Sequence, residues 1–249
     1  MTRDNTNFMH LRHTLVALVC ALALLLSPHA YARVQQVQEE AQPPQEEGTF
    51  REPNLVELKR LDSTIKLDIR YATANNFTGR AVYTEARAFL QRPAALALLR
   101  AARALRTKGY GLAVFDGYRP WSVTKLFWDV TPADKKQFVA DPSKGSRHNR
   151  GCAVDLTLYD LKTGREVSMP GEYDEMSERS HISYAGGTVE QRRLRDLLRA
   201  AMEAEGFAVY EPEWWHFDYK DWRQYPILNV SFTGIGKPRT KATPATHTK

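Results

Sequence analysis

The chain has 249 residues, enough for one medium-sized domain with tails, and its 43% hydrophobic and 26% charged residues are ordinary for a globular protein. Its formal net charge of +6 is concentrated at the ends: Lys237, Arg239, Lys241 and Lys249 lie in the last stretch with no acid among them. The part expected to fold is close to neutral, which excludes a nucleic-acid binder, since that function needs a basic stripe on the folded surface.

In chain order, Arg3, Arg12 and His13 precede an apolar run from Leu15 to Leu26, and Ala30-Tyr31-Ala32 supplies small residues at alternate positions. A basic lead, a short apolar segment and a small-residue cleavage site predict a signal peptide over residues 1–32 and a periplasmic or secreted protein. The run is 12 residues long, short of the roughly 20 that cross a bilayer as a helix, so no transmembrane segment is expected in the mature chain. Cys20 sits inside that run after Val19, not after a small residue, which disfavours lipid attachment. Cleavage leaves Cys152 alone and excludes an internal disulfide. Residues 33–50, rich in Gln, Glu and Pro, read as a disordered linker.

The domain is expected over 51–231. Leu55–Leu61 and Thr64–Tyr71 alternate apolar and polar residues as half-buried strands do. Pro93 opens a helix through Leu105 that Gly109 closes. Gly111–Asp116 reads as a strand, a helical stretch follows Pro120, and Cys152–Leu158 is a further strand. Val189–Glu205 is an amphipathic helix ended by Gly206, followed by strands Phe207–Tyr210 and Trp214–Tyr219. Interleaved helices with hairpin-like strand pairs predict an α+β fold, one domain with a mainly antiparallel central sheet and flanking helices. Residues 232–249 read as a basic disordered tail able to touch anionic envelope polymers or lipid.

Four histidines follow the signal segment: His148, His181, His216 and His247. His148 precedes Asp155 by seven residues and Glu213 precedes His216 by three. Two imidazoles and a carboxylate are the donors of a catalytic zinc site that keeps a position for water, and a second carboxylate off the metal can deprotonate that water. Seven residues along one straight strand point to opposite faces. His148 and Asp155 therefore converge only if His148 lies on a loop, for which Gly151 supplies the backbone freedom. Cys152 should then face away and pack, and Pro212 suggests that Glu213 lies at the bend before its strand. Each element has a plainer reading: His148 as a hydrogen-bonded surface histidine, Trp214 and Trp215 as core aromatics, Arg119 as an ion-pair partner of Asp116, His181 as a structural hydrogen-bonding residue. On chemistry alone, a metal site and scattered structural roles both remain open.

The string SRHNRGCAVDLTLYDLKTG resembles the Ser-x-His-x-x-Gly-x-Ala-x-Asp motif of zinc D-Ala-D-Ala peptidases, and EWWHF resembles their Glu-x-Trp-His element. With RYATANNFTG, GYGLAVFDGYRP and ERSH, the pattern is similar to the D-alanyl-D-alanine dipeptidases associated with vancomycin resistance, from about Leu67 to Tyr219. The resemblance implies one zinc ion per chain held by His148, Asp155 and His216, Glu213 as the catalytic base, and Arg119 stabilising the oxyanion. Ser146 and Tyr71 fall where the family lines its dipeptide pocket. Arg147 stands where a small residue is usual, so its direction bears on pocket size. The implied reaction is hydrolysis of D-alanyl-D-alanine or a related small dipeptide. Its rivals are a D,D- or L,D-carboxypeptidase acting on longer peptidoglycan peptides and a non-catalytic zinc-containing peptidoglycan-binding module. Retention of Glu213 disfavours the module.

Overall fold

The computed structural model describes residues 42–236; the expected signal peptide, the first half of the expected linker and most of the basic tail lie outside them. Strand β1 (Leu55–Glu57) pairs antiparallel with β3 (Phe89–Gln91) in a small two-stranded sheet. The main sheet has five strands, ordered β2 (Lys66–Leu67), β4 (Tyr110–Asp116), β5 (Ala153–Asp160), β7 (Glu213–Tyr219) and β6 (Phe207–Tyr210). The β4–β5, β5–β7 and β6–β7 pairs are antiparallel and β2–β4 is parallel. The fold is α+β with a mainly antiparallel sheet, as the sequence predicts.

After a single helical turn, α1 (Leu58–Leu61), come α2 (Arg92–Arg106), α3 (Trp121–Val130) and α4 (Val189–Glu203). Helix α2 has its proline in the first turn, where the missing amide hydrogen costs nothing. Helix α4 is opened by a reciprocal cap in which Thr188 accepts from the Gln191 amide and the Gln191 side chain accepts from the Thr188 amide. Helices α2 and α4 pack on each other and against the sheet. Leu98, Leu105, Leu194, Leu198 and Met202 meet Leu112, Val154, Leu156 and Leu158 in one core. Along β5 the even positions serve that core. Cys152, buried, belongs with them as expected, and Asp155 faces the other way.

Four expectations are corrected. The run Leu55–Leu61 is not one strand: its leucines at 55, 58 and 61 also suit a helical spacing, and burial of Leu58 is achieved in α1. Of Thr64–Tyr71 only Lys66–Leu67 joins the sheet. Ile65, Ile69 and Tyr71 are buried all the same, so the alternation reports burial and not a hydrogen-bonded ladder. The expected linker is ordered in its last part, where Glu46 pairs with the Arg150 guanidinium and accepts from the Ile227 amide at 2.6 Å. The domain also extends past 231: Phe232 is buried against Tyr83 and Phe89.

Candidate metal and catalytic centre

The turn before β5 does what the seven-residue spacing demands. His148 lies in a tight 3-10 turn, His148–Arg150, and Gly151 ends it at φ +67°. A Cβ at Gly151 would run into the Leu55 side chain and approach the Gln91 amide. Gln91 braces this turn, its amide donating to the Gly151 carbonyl at 2.8 Å and its side chain to the Arg150 carbonyl at 2.9 Å. Asn149, which the sequence reading passed over, is satisfied on every side. It accepts from the Ser146 amide and donates to the Arg119 carbonyl and to Thr124 Oγ1, each at 2.8 Å. A fully paired buried amide of this kind fixes its neighbours, here His148 on one side and Arg119 on the other.

His216 arrives from β7, where it stands directly opposite Asp155 of β5. Glu213 opens that strand instead of preceding it. The β6–β7 register shifts between Val209 and Tyr210, so that Tyr210 pairs with Glu213. This irregularity lets two residues three apart reach one cavity. A second shift, between Val114 and Asp116 on β4, puts Asp116 opposite Asp155.

His148, Asp155 and His216 are all buried, and one donor atom from each lies within 4.8 Å of the others. His148 Nε2 and His216 Nδ1 are 3.1 Å apart, and Asp155 Oδ1 lies 3.0 Å from the His216 nitrogen and 3.3 Å from that of His148. Metal–ligand arms of 2.0–2.1 Å in a tetrahedron give edges of about 3.3 Å, so the triangle has the dimensions of a zinc face. The free nitrogens are also secured: His148 Nδ1 donates to the Gly117 carbonyl at 2.7 Å. The residues fit a metal ion.

Glu213 Oε2 stands 3.6 Å from His216 Nδ1, off the triangle, with its side chain 21% exposed toward the cavity. Burial raises its pKa, with Asp155 adding to the push, against the opposing influence of His216, His148 and Arg119. Asp155 goes the other way. Burial works against its ionisation, but the two imidazoles outweigh that and hold it well below the usual carboxylate range. For His216, burial opposes the charged ring, and the carboxylates of Asp218 and Asp155 more than offset it.

Arg119 is the ion-pair partner of Asp116 and also reaches the cavity. Its Nε donates to Asp116 Oδ2 at 2.9 Å, while Nη2 lies 3.8 Å from Asp155 Oδ2 and the guanidinium lines the cavity. Tyr83 and the Gly117 amide occupy the other oxygen of Asp116, so the anchor of Arg119 is itself held. Ser146 Oγ accepts from the His148 amide at 3.2 Å. The Tyr71 hydroxyl donates to both oxygens of Asp174 at 2.9 Å.

All seven predicted site residues line one cavity of about 130 Å³. Arg147 reaches its edge without filling it, leaning sideways with Nε 3.4 Å from Asp218. His181 is held by Glu211 away from the site, and Tyr118 and Trp121 are packed in the interior. Asp174 is a cavity-lining residue that sequence reasoning missed. It stands half-buried at the cavity wall, with a pKa pushed up to about 8 by desolvation and by the charge of Asp155. It is also the only non-glycine with positive φ (60°) among the described residues. Aspartate tolerates that conformation, and nothing in the flat sequence flags it.

Comparison with known proteins places this geometry. A family model for the D-ala-D-ala dipeptidases, Peptidase M15, matches residues 51–232. The chain is 36% identical to the D-alanyl-D-alanine dipeptidase of Escherichia coli (strain K12) over 187 residues, covering 75% of this chain and 95% of that protein. It is 38% identical to that of Enterococcus faecium over 189 residues, covering 68% and 92%. A looser structural likeness, at TM-score 0.35 and 16% identity over 67% of this chain and 66% of the other, links it to the vancomycin-resistance D,D-dipeptidase VanXYg. The chain is a peptidase and belongs to the D-Ala-D-Ala dipeptidase family.

Proposed function

We propose that the protein hydrolyses D-alanyl-D-alanine or a closely related small dipeptide, with one zinc ion held by His148, Asp155 and His216. The observation that carries the reading is the convergence of three mutually facing donor atoms with a separate glutamate beside them. When bound, zinc supplies a Lewis acid that polarises the peptide carbonyl and makes a water acidic near neutral pH. Glu213 accepts the proton of the attacking water and returns it to the leaving amine. Burial raises its pKa, which makes it a stronger base toward the water than an exposed carboxylate. Arg119 presents a permanently charged, planar donor set, prealigned by Asp116, to the oxygen on which negative charge develops.

The far wall supports a substrate with a free amino terminus. Asp174, half-buried and bonded to the Tyr71 hydroxyl, is a carboxyl group that holds its proton up to about pH 8 and has no cationic partner in hydrogen-bond range among the described residues. A dipeptide's ammonium would favour loss of that proton and supply the counter-charge to the resulting carboxylate. A longer peptide would bring a neutral amide there, which forms no ion pair with the carboxyl and forgoes that charge-assisted contact. Ser146, whose oxygen accepts from the backbone, keeps its own hydrogen for substrate. The cavity is close in size to the roughly 150 Å³ that holds a benzene ring in an engineered protein core, which favours a small ligand over a polymer. Charge matching at Asp174 thus favours the dipeptidase over a carboxypeptidase.

Hydrolysis of D-Ala-D-Ala and of a peptidoglycan pentapeptide, assayed side by side with and without chelator, tests the proposal. The expected result is chelator-sensitive cleavage of the dipeptide at least tenfold faster than release of alanine from the pentapeptide. Glu213→Gln should lower kcat by about 10²–10⁴-fold while metal content stays at one ion per chain. Full turnover in that variant would remove the base assignment.

A further inference from the structure

The two imidazoles of the centre present opposite nitrogens to it and are held by different kinds of partner. His148 faces the triangle with Nε2, and its Nδ1 donates to the Gly117 carbonyl. His216 is reversed: Nδ1 faces the triangle and Nε2 lies 2.9 Å from Asp218 Oδ1. An imidazole nitrogen that binds an ion must offer its lone pair, so the hydrogen has to sit on the other nitrogen, and whatever accepts it fixes both tautomer and ring angle.

Asp218 follows His216 by two positions on β7, so both side chains project from the same face of the strand. Its second oxygen, Oδ2, faces Arg147 Nε at 3.4 Å. That nitrogen is buried and makes no hydrogen bond, so the Asp218 carboxylate is its electrostatic compensation. The Arg147 guanidinium also lies over the Trp222 ring, 4.9 Å from its centroid. Arg147 is the residue immediately before His148. One carboxylate therefore touches the ring of one ligand and the residue next to another.

We infer that Asp218 is a positioning residue of the metal centre, locking His216 in the tautomer that presents Nδ1, and that Arg147 acts through Asp218 by holding its carboxylate in place. This rests on the metal reading given under Proposed function. Neither residue is assigned contact with the reacting atoms. The carbonyl behind His148 is fixed by backbone, whereas the carboxylate behind His216 is a side chain that needs its own brace, and Arg147, clamped by Trp222, is that brace.

The test is zinc affinity by chelator competition, together with the visible spectrum of the cobalt-substituted protein, for wild type, Asp218→Ala, Asp218→Asn, Arg147→Met and the Asp218→Ala/Arg147→Met pair. Asp218→Ala should weaken zinc binding about 10–100-fold and alter the cobalt spectrum. Asp218→Asn, which keeps an accepting oxygen and the side-chain shape, should lose less and guards against a folding defect. Arg147→Met should lose less than Asp218→Ala and add almost nothing in its presence, because it acts through the same group. Zinc affinity within twofold of wild type and an unchanged cobalt spectrum in Asp218→Ala would overturn the inference while leaving the metal site intact. Additive losses in the pair would overturn the role of Arg147. A wild-type protein that takes up no ion would remove the metal reading and this inference together, which separates the two failures.

Discussion

At the scale of single residues, Asp174 makes the sharpest statement. Its pKa rises from an ordinary 3.8 to about 8 because burial and the neighbouring Asp155 disfavour its charge. Between those pH values the folded metal-free chain holds a proton that the unfolded chain has released. The stability linked to that proton is complete below about pH 4 and is lost as pH rises through about 8. Asp174→Asn carries no such liability and keeps an oxygen for the Tyr71 hydroxyl. In metal-stripped protein the variant should therefore gain in Tm relative to wild type as pH is raised from 4 to 8, by several degrees, and gain no more above that. Its KM for D-Ala-D-Ala should rise at least tenfold. A Tm difference that is flat from pH 4 to 9 would contradict the raised pKa. Residue types and spacing made His148, Asp155, Glu213 and His216 candidates, and only the resemblance to the family suggested a role for each; the structure brings them to one cavity. Asp174 was not legible, because its place at the cavity wall and its left-handed backbone are announced by no neighbouring residue.

At the scale of elements, the centre depends on turns and register shifts more than on regular strands. Gly151 is the point where the His148 turn becomes β5. In Gly151→Ala a methyl group meets Leu55 in a backbone conformation unfavourable to side chains. The expected loss is about 2–4 kcal/mol, from left-handed strain and overpacking combined, read as a lowered denaturant midpoint with weaker zinc binding. An unchanged midpoint would show that the turn can relax without cost. The parity of β5 was readable: Cys152 had to oppose Asp155, and it does. The helices were readable from their caps and their apolar spacing, Pro93 and Gly206 included. The register shifts at Val114–Asp116 and Val209–Tyr210 were not, because an irregular pairing is a property of two strands together and neither sequence contains it. For the same reason Leu55–Leu61 read as one strand: its spacing fits two periods, and only the pairing with Phe89–Gln91 decides where the strand stops.

At the scale of the whole molecule, the domain reaches further than its composition suggests. Glu46 lies in a Gln- and Glu-rich stretch typical of disorder, yet it pairs with Arg150, two residues beyond His148. Arg150 is buried and also donates to the Tyr225 carbonyl. Glu46→Ala leaves that cation short of a partner, and a loss of about 1–3 kcal/mol is expected, visible as a lower Tm and faster proteolysis before residue 51. Wild-type behaviour in both would make the arm dispensable. Composition reports average burial, and one well-placed carboxylate is invisible to it. The N-terminal segment carries a separate proposal, that the chain is exported; fractionation of cells producing the full sequence should find it outside the cytoplasm, shortened at its N-terminus.

The direct opposition of Asp155 and His216 on neighbouring strands has a further consequence. An ion gripped by both is a rivet through the β5–β7 seam. A slip of one residue along that seam would turn one of the two side chains away, so a bound cation would reward only the correct pairing and would act as a proofreader of the sheet's assembly. Stripping the metal should speed amide hydrogen exchange along Ala153–Asp155 and His216–Asp218, where the strands are paired, and leave the outlying β1–β3 ribbon as protected as before. Uniform loss of protection across both sheets would mean that the ion secures the fold as a whole and not this one seam.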